Sequence, residues 1–166
     1  MDLLDIKGRI AQALVESIFR RAGFTLTPVG PRESPARLGR DELVPDFFAA
    51  RVPPDDRPPD TPARLIEVRY RPQIAQYLAI EDQRGSQSIF TYAKRQWPGL
   101  TFVFVSDHPP AGRSWFQTVD LEPWTPGERV APLDLFDHKG LDIYRQNVEE
   151  HEALARRIFS LLTGSP

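Results

Sequence analysis

Two carboxylates and a guanidinium are spaced in this chain as a site for a hard divalent cation would need them. Pro45-Asp46 stands at the head of one strand-like segment, and Glu67-Val68-Arg69 lies inside the next. If the two segments are neighbours, Asp46 and Glu67 come within reach of one ion, whose oxygen ligands sit at about 2.0–2.6 Å. A cation held in this way lowers the pKa of bound water and supplies a nucleophile at neutral pH. Arg69 cannot act as a base, because its pKa exceeds about 12, but its planar fork is suited to an oxyanion. A plainer reading stands beside this one. Glu67 and Arg69, at i and i+2, can form a surface ion pair worth about 0–1 kcal/mol, and Asp46 can satisfy backbone donors at a strand start.

The elements that must position these residues are legible in the pattern. Arg64-Leu65-Ile66-Glu67-Val68-Arg69-Tyr70-Arg71 lies between Pro62 and Pro72 and is rich in β-branched and aromatic residues, so it predicts a strand. Side chains alternate along it: Ile66, Val68 and Tyr70 share one face, and Leu65, Glu67, Arg69 and Arg71 the other. Leu43 to Ala50 predicts a second strand after its proline, which costs no interior ladder bond at that position. The intervening 51–62 holds five prolines and several charges, so it predicts a solvated connection between antiparallel neighbours.

Leu3 to Ala22 carries Leu3, Ile6, Ile10, Leu14 and Ile18 at helical spacing, with Gly23 beyond the end, and predicts an amphipathic helix. Phe24 to Val29 follows as a short strand. Pro72 near the first position opens a short helix over 72–81, and Ser86 to Trp97 predicts another, stopped by Pro98-Gly99. Leu100 to Ser106 is a continuous apolar run, as in a strand buried on both faces. Strand, helix and buried strand imply a crossover, making 64–70 and 100–106 parallel neighbours. Ser114 to Leu121 predicts one more strand. Leu141 to Leu162 predicts a closing helix, with Glu149-Glu150-His151-Glu152 as its solvated face.

Composition sets the class. The 166 residues are 40% hydrophobic, enough for one domain to bury a core without staples. With no cysteine, a disulfide, a thiolate zinc site and a cysteine nucleophile are excluded. No run of about 18 apolar residues occurs and the first residues are charged, which predicts a soluble, cytoplasmic protein with no membrane partner. Neither a phosphate-cradling glycine loop nor a serine-nucleophile signature is found.

The order helix, strand, Pro-Asp strand, Glu-x-basic strand, helix, strand resembles the PD-(D/E)xK nuclease superfamily, over roughly residues 8 to 106. The resemblance rests on Pro45-Asp46 and Glu67-Val68-Arg69. It implies an α/β restriction endonuclease-like three-layer core, a mixed sheet flanked by helices, at about 3–106 of a single 1–166 domain, with 107–166 as an extension that ends in the closing helix. It also implies a Mg²⁺- or Mn²⁺-dependent phosphodiester hydrolase acting on nucleic acid, with DNA the favoured target. Asp46, Glu67 and the Val68 carbonyl would hold the metal, and Glu16 on the first helix is a further candidate. Arg69 replaces the family's lysine and would clamp the scissile phosphate, while Lys94 could supply the missing ammonium from the second helix. The alternative is a catalytically silent module that binds nucleic acid or a protein partner through the same face.

The net charge of −2 leaves phosphate binding to a local basic face. Arg71 and Arg84 are candidates, as are Arg32, Arg37 and Arg40 in the Gly- and Pro-containing loop before Pro45. Cutting both strands of a duplex with one site per chain would favour a homodimer.

Overall fold

The computed structural model describes residues 2–29, 43–51, 53, 55, 57 and 62–164. The loop candidates Arg32, Arg37 and Arg40 lie outside them. Within them the chain is an α/β protein, with helices α1 (Leu3–Arg21), α2 (Ile74–Arg84), α3 (Ile89–Gln96) and α4 (Arg145–Thr163). Six strands, β1 (Phe24–Pro28), β2 (Phe47–Arg51), β3 (Arg64–Tyr70), β4 (Leu100–Val105), β5 (Phe116–Asp120) and β6 (Leu133–Asp134), form one mixed sheet in sequence order. β3 and β4 are parallel, as the crossover rule requires, and every other pair is antiparallel.

β4 is buried along its whole length because helices cover both faces of the sheet. Val103 and Val105 point into a cluster with Leu14, Ile18 and Phe19 of α1 and Val148, Ala155 and Phe159 of α4. Phe102 and Phe104 point the other way, against Ile74 and Leu78 of α2 and Phe90 of α3. Their rings stack at 5.5 Å, and Phe90 meets Phe102 edge-on at 5.2 Å. Pairing with strands on both sides holds β3 against its neighbours.

Local chemistry explains the helix starts. An Asp2/Asp5 capping box opens α1, and Ser88 caps α3 by accepting from the Phe90 N–H. α2 begins two residues after Pro72, with Gln73 as its N-cap, and runs on to Arg84. α4 starts at Arg145, later than the apolar pattern predicts, because Asp142 takes a left-handed φ of 50° that a helix cannot contain. Leu141 and Ile143 still reach the core from extended backbone.

The predicted solvated face of α4 is corrected by the packing of α4 on α1. His151 is buried and joins Ser17 Oγ at 2.8 Å through Nε2. Glu152 is buried against the Ser114 hydroxyl. β6 had no sequence forecast, since a two-residue strand carries no readable period.

Candidate functional site

β2 begins at Phe47, one residue after Asp46, while β3 runs on past it to Tyr70. The register pairs Phe47 with Ile66 at the start of β2, and Asp46, just before that pair, stands beside Ile66 to Val68 of β3. The Asp46 N–H donates to the Ile66 carbonyl at 2.9 Å, and the Val68 N–H donates to Asp46 Oδ2 at 2.7 Å. Ile66 and Val68 therefore aim their backbone groups toward β2. Beyond the start of β2, that direction leads into a cleft of about 1110 Å³.

The cleft is bounded by Asp46, Glu67, Val68 and Arg69 on the sheet side and by Asp5, Arg9 and Gln12 of α1 opposite. Glu67 is buried, its side chain 4% exposed, and Arg69 Nε lies 3.2 Å from its Oε1. The strand alternation that puts Glu67 on the α2 and α3 side of the sheet carries Arg69 and Arg71 there too. Arg71 stacks over the Tyr77 ring at 4.5 Å and donates from Nη1 to the Tyr70 carbonyl at 2.7 Å.

Asp46, Glu67, Val68, Arg69 and Arg71 are thus gathered in one place. Three sequence candidates among the described residues do not line the cleft. Glu16 shares the angular position of Asp5 and Gln12 on α1 but lies a turn beyond Gln12, about 6 Å further along the axis. It pairs with Arg20 at 3.7 Å instead. Lys94 is likewise placed elsewhere: its ammonium donates to the carbonyls of Leu121 and Glu122, the latter at 2.8 Å. Arg84 lies on the far side of Arg71, half exposed and bonded to Glu81 at 3.0 Å.

The donor set suits a hard cation in type: two carboxylates on facing strands and a main-chain carbonyl on the same edge are all oxygen ligands. Among the described residues no three His, Cys, Asp or Glu side chains come together as a metal-binding group. A cation here would share Glu67 with Arg69.

One neighbouring cluster escaped sequence reasoning. Lys7 Nζ bonds Asp107 Oδ2 at 2.8 Å and Tyr70 Oη at 3.2 Å, and Tyr70 Oη donates to Asp107 Oδ1 at 2.9 Å. Burial pushes the Tyr70 phenol up, and Asp107 adds to it. Burial would also raise Asp107, but the bonds from Lys7 and Tyr70 and the Lys7 charge outweigh it and hold its carboxyl below the usual range. This triad ties α1 to the end of β3, and so fixes the wall that carries Asp5, Arg9 and Gln12. Its members are 100 residues apart at the widest, which leaves no local signal. The α1 wall itself was traceable as the polar stripe at i, i+4 and i+7.

Among the described residues no helix is long and apolar enough to cross a membrane. No protein-family model matches the chain, and neither a curated protein nor a solved structure matches it.

Proposed function

We propose that the chain is a restriction endonuclease-like module of the PD-(D/E)xK type that hydrolyses phosphodiester bonds in nucleic acid, DNA being the favoured substrate. The observation that carries this reading is that Asp46, bonded to the Ile66 carbonyl and the Val68 N–H just before β2 begins, and Glu67 of β3 border the same open cleft. Asp46, Glu67 and the Val68 carbonyl are the residues to hold Mg²⁺ or Mn²⁺. When bound, such an ion activates water and offsets charge on the phosphate oxygens. Arg69 orients the scissile phosphate and stabilises the charge that develops on it, as a fixed guanidinium in a partly dry site does well. Arg9 and Arg71 extend the positive wall on either side.

Cleavage of labelled single-stranded and duplex DNA with Mg²⁺ or Mn²⁺ tests the reading. The parent should cut, and Asp46→Asn and Glu67→Gln should each lose cutting by about 10²-fold or more. Cutting that survives both substitutions, or is equal in chelator, sinks the hydrolase.

A second reading has its own support. Arg69 already neutralises Glu67 at 3.2 Å, which favours a silent module that binds nucleic acid or a protein partner without metal. Arg69→Lys separates the two: a compact ammonium frees part of Glu67, so a hydrolase keeps or gains activity, while a silent module cuts in neither form.

A further inference from the structure

A second concavity, of about 490 Å³, opens on the other side of Arg69 and Arg71, between β3 and the α2–α3 hairpin. Four guanidiniums line it, those of Arg69, Arg71, Arg84 and Arg95, against the single carboxylate of Glu81. Glu81 is buried and committed to the fold, accepting from the Ile89 N–H at 2.9 Å and from Arg84 Nη1 at 3.0 Å. With Glu67 paired to Arg69 behind the wall, the site still carries a formal charge of about +2 in a chain whose total is −2.

The remaining walls are aromatic. Tyr77 and Tyr92 both face the space, and Tyr77 already holds the Arg71 guanidinium flat against its ring. Burial raises the Tyr77 phenol, with Arg71 opposing, so a planar ligand meets a neutral ring with the Arg71 guanidinium over it, not a bare ring face. Each guanidinium has five donors, so Arg71 and Arg84 keep several beyond the bonds that position them. Forked donors around a concave space suit an anion with several acceptor oxygens, and the volume of about 490 Å³ exceeds a bare phosphate. Phosphate together with a planar ring is the chemistry of a nucleotide.

Arg69 and Arg71 line both this pocket and the cleft. A strand whose backbone passes Arg69 would place consecutive nucleotides in the two spaces. We propose that the α2–α3 pocket is a nucleotide subsite for single-stranded nucleic acid, in which Arg71, Arg84 and Arg95 hold a phosphate and Tyr77 and Tyr92 receive the unstacked base. This inference rests on the nucleic-acid reading of the cleft and names which form of strand the site takes.

The test is fluorescence anisotropy with a labelled oligothymidylate of about eight nucleotides, in chelator and low salt, where cleavage plays no part. The parent should bind it. Arg84→Gln combined with Arg95→Gln should weaken binding roughly tenfold or more, with a slope against salt shallower by about 1. Tyr92→Leu should weaken the oligothymidylate more than inorganic phosphate, a difference that loss of folding does not produce. Equal binding by the parent and the double variant overturns the subsite, as does preference for blunt duplex over single strand. Tighter binding of a phosphopeptide than of the oligonucleotide assigns the pocket to a protein partner and overturns it too. Binding in chelator with no cleavage under any condition leaves the subsite standing and removes the hydrolase. Cleavage with binding unaffected by the variants does the reverse.

Discussion

Arg64 opens β3 and Arg69 lies near its end, and each guanidinium meets a carboxylate. At the first end, Asp120 of β5 accepts from Thr101 Oγ1 at 2.6 Å and from His138 Nε2 at 2.6 Å, with Arg64 Nη1 at 3.9 Å. The loop is closed by the Leu141 N–H, which donates to His138 Nδ1 at 3.2 Å. That bond leaves the ring nitrogen no free lone pair, so His138 holds a turn and is not placed to act as a base. Burial would raise the Asp120 carboxyl, but the His138 and Thr101 bonds and the Arg64 charge outweigh it and lower it. At the other end, Asp46, Glu67 and Arg69 border an open cleft, with Arg9 and Arg71 close by. Both groups are partnered within the chain; what differs is that the second borders open space and further positive charge, where a ligand can reach it.

The Lys7–Tyr70–Asp107 triad probes that distinction hardest, because it lies beside the cleft yet has its partners inside the chain. Lys7→Met should cost about 3 kcal/mol, since it leaves Asp107 nearly buried without its ammonium. Urea unfolding measures this, and a loss under about 1 kcal/mol would mean that proximity to the cleft, not satisfaction, sets the behaviour.

Asp120→Ala follows, at about 2 kcal/mol, through the donors stranded on Thr101 and His138. Substrate binding per folded molecule should not change. A binding defect at full stability would erase the contrast between the two ends of β3.

Acid sharpens the comparison without mutation. Asp107 and Asp120 titrate below the ordinary 3.8 when folded, so the stability they contribute is present above that value and is lost as pH falls through their lower folded values. Thermal scans from pH 6 down to about pH 2 should show a fall that is shallower in Asp107→Asn and Asp120→Asn. Parallel curves for parent and variants would contradict it.

Glu67→Gln should be the mildest for stability, within about 1 kcal/mol of the parent, because Arg69 can turn outward once released. The measurement is the same urea midpoint, run beside the cleavage assay. A loss near that of Lys7→Met would make Glu67 a folding residue and empty the cleft of its chemistry.

The sheet was readable because its signals are short-range. The run Leu100 to Val105 announced a strand covered on both faces, and the parallel pairing with β3 followed from the helices between them. Asp46 and Glu67 could be matched because a proline marks where β2 begins and strand alternation fixes the face of Glu67. Glu16 stands a turn beyond the cleft wall on α1, and Lys94 bonds the carbonyls of Leu121 and Glu122, placements that no local pattern reveals. His151 and Glu152 looked solvated because a run of polar residues gives no hint of a partner such as Ser17 or Ser114.

By itself, then, the sequence determined which residues share a strand face or a helix stripe, because backbone geometry repeats every two or about 3.6 residues. Tertiary structure alone decided which charges are used up. A carboxylate's partner depends on chain segments brought together from far apart, as Lys7 and Asp107 are, and whether a partnered acid is enclosed or borders an open cleft is decided there.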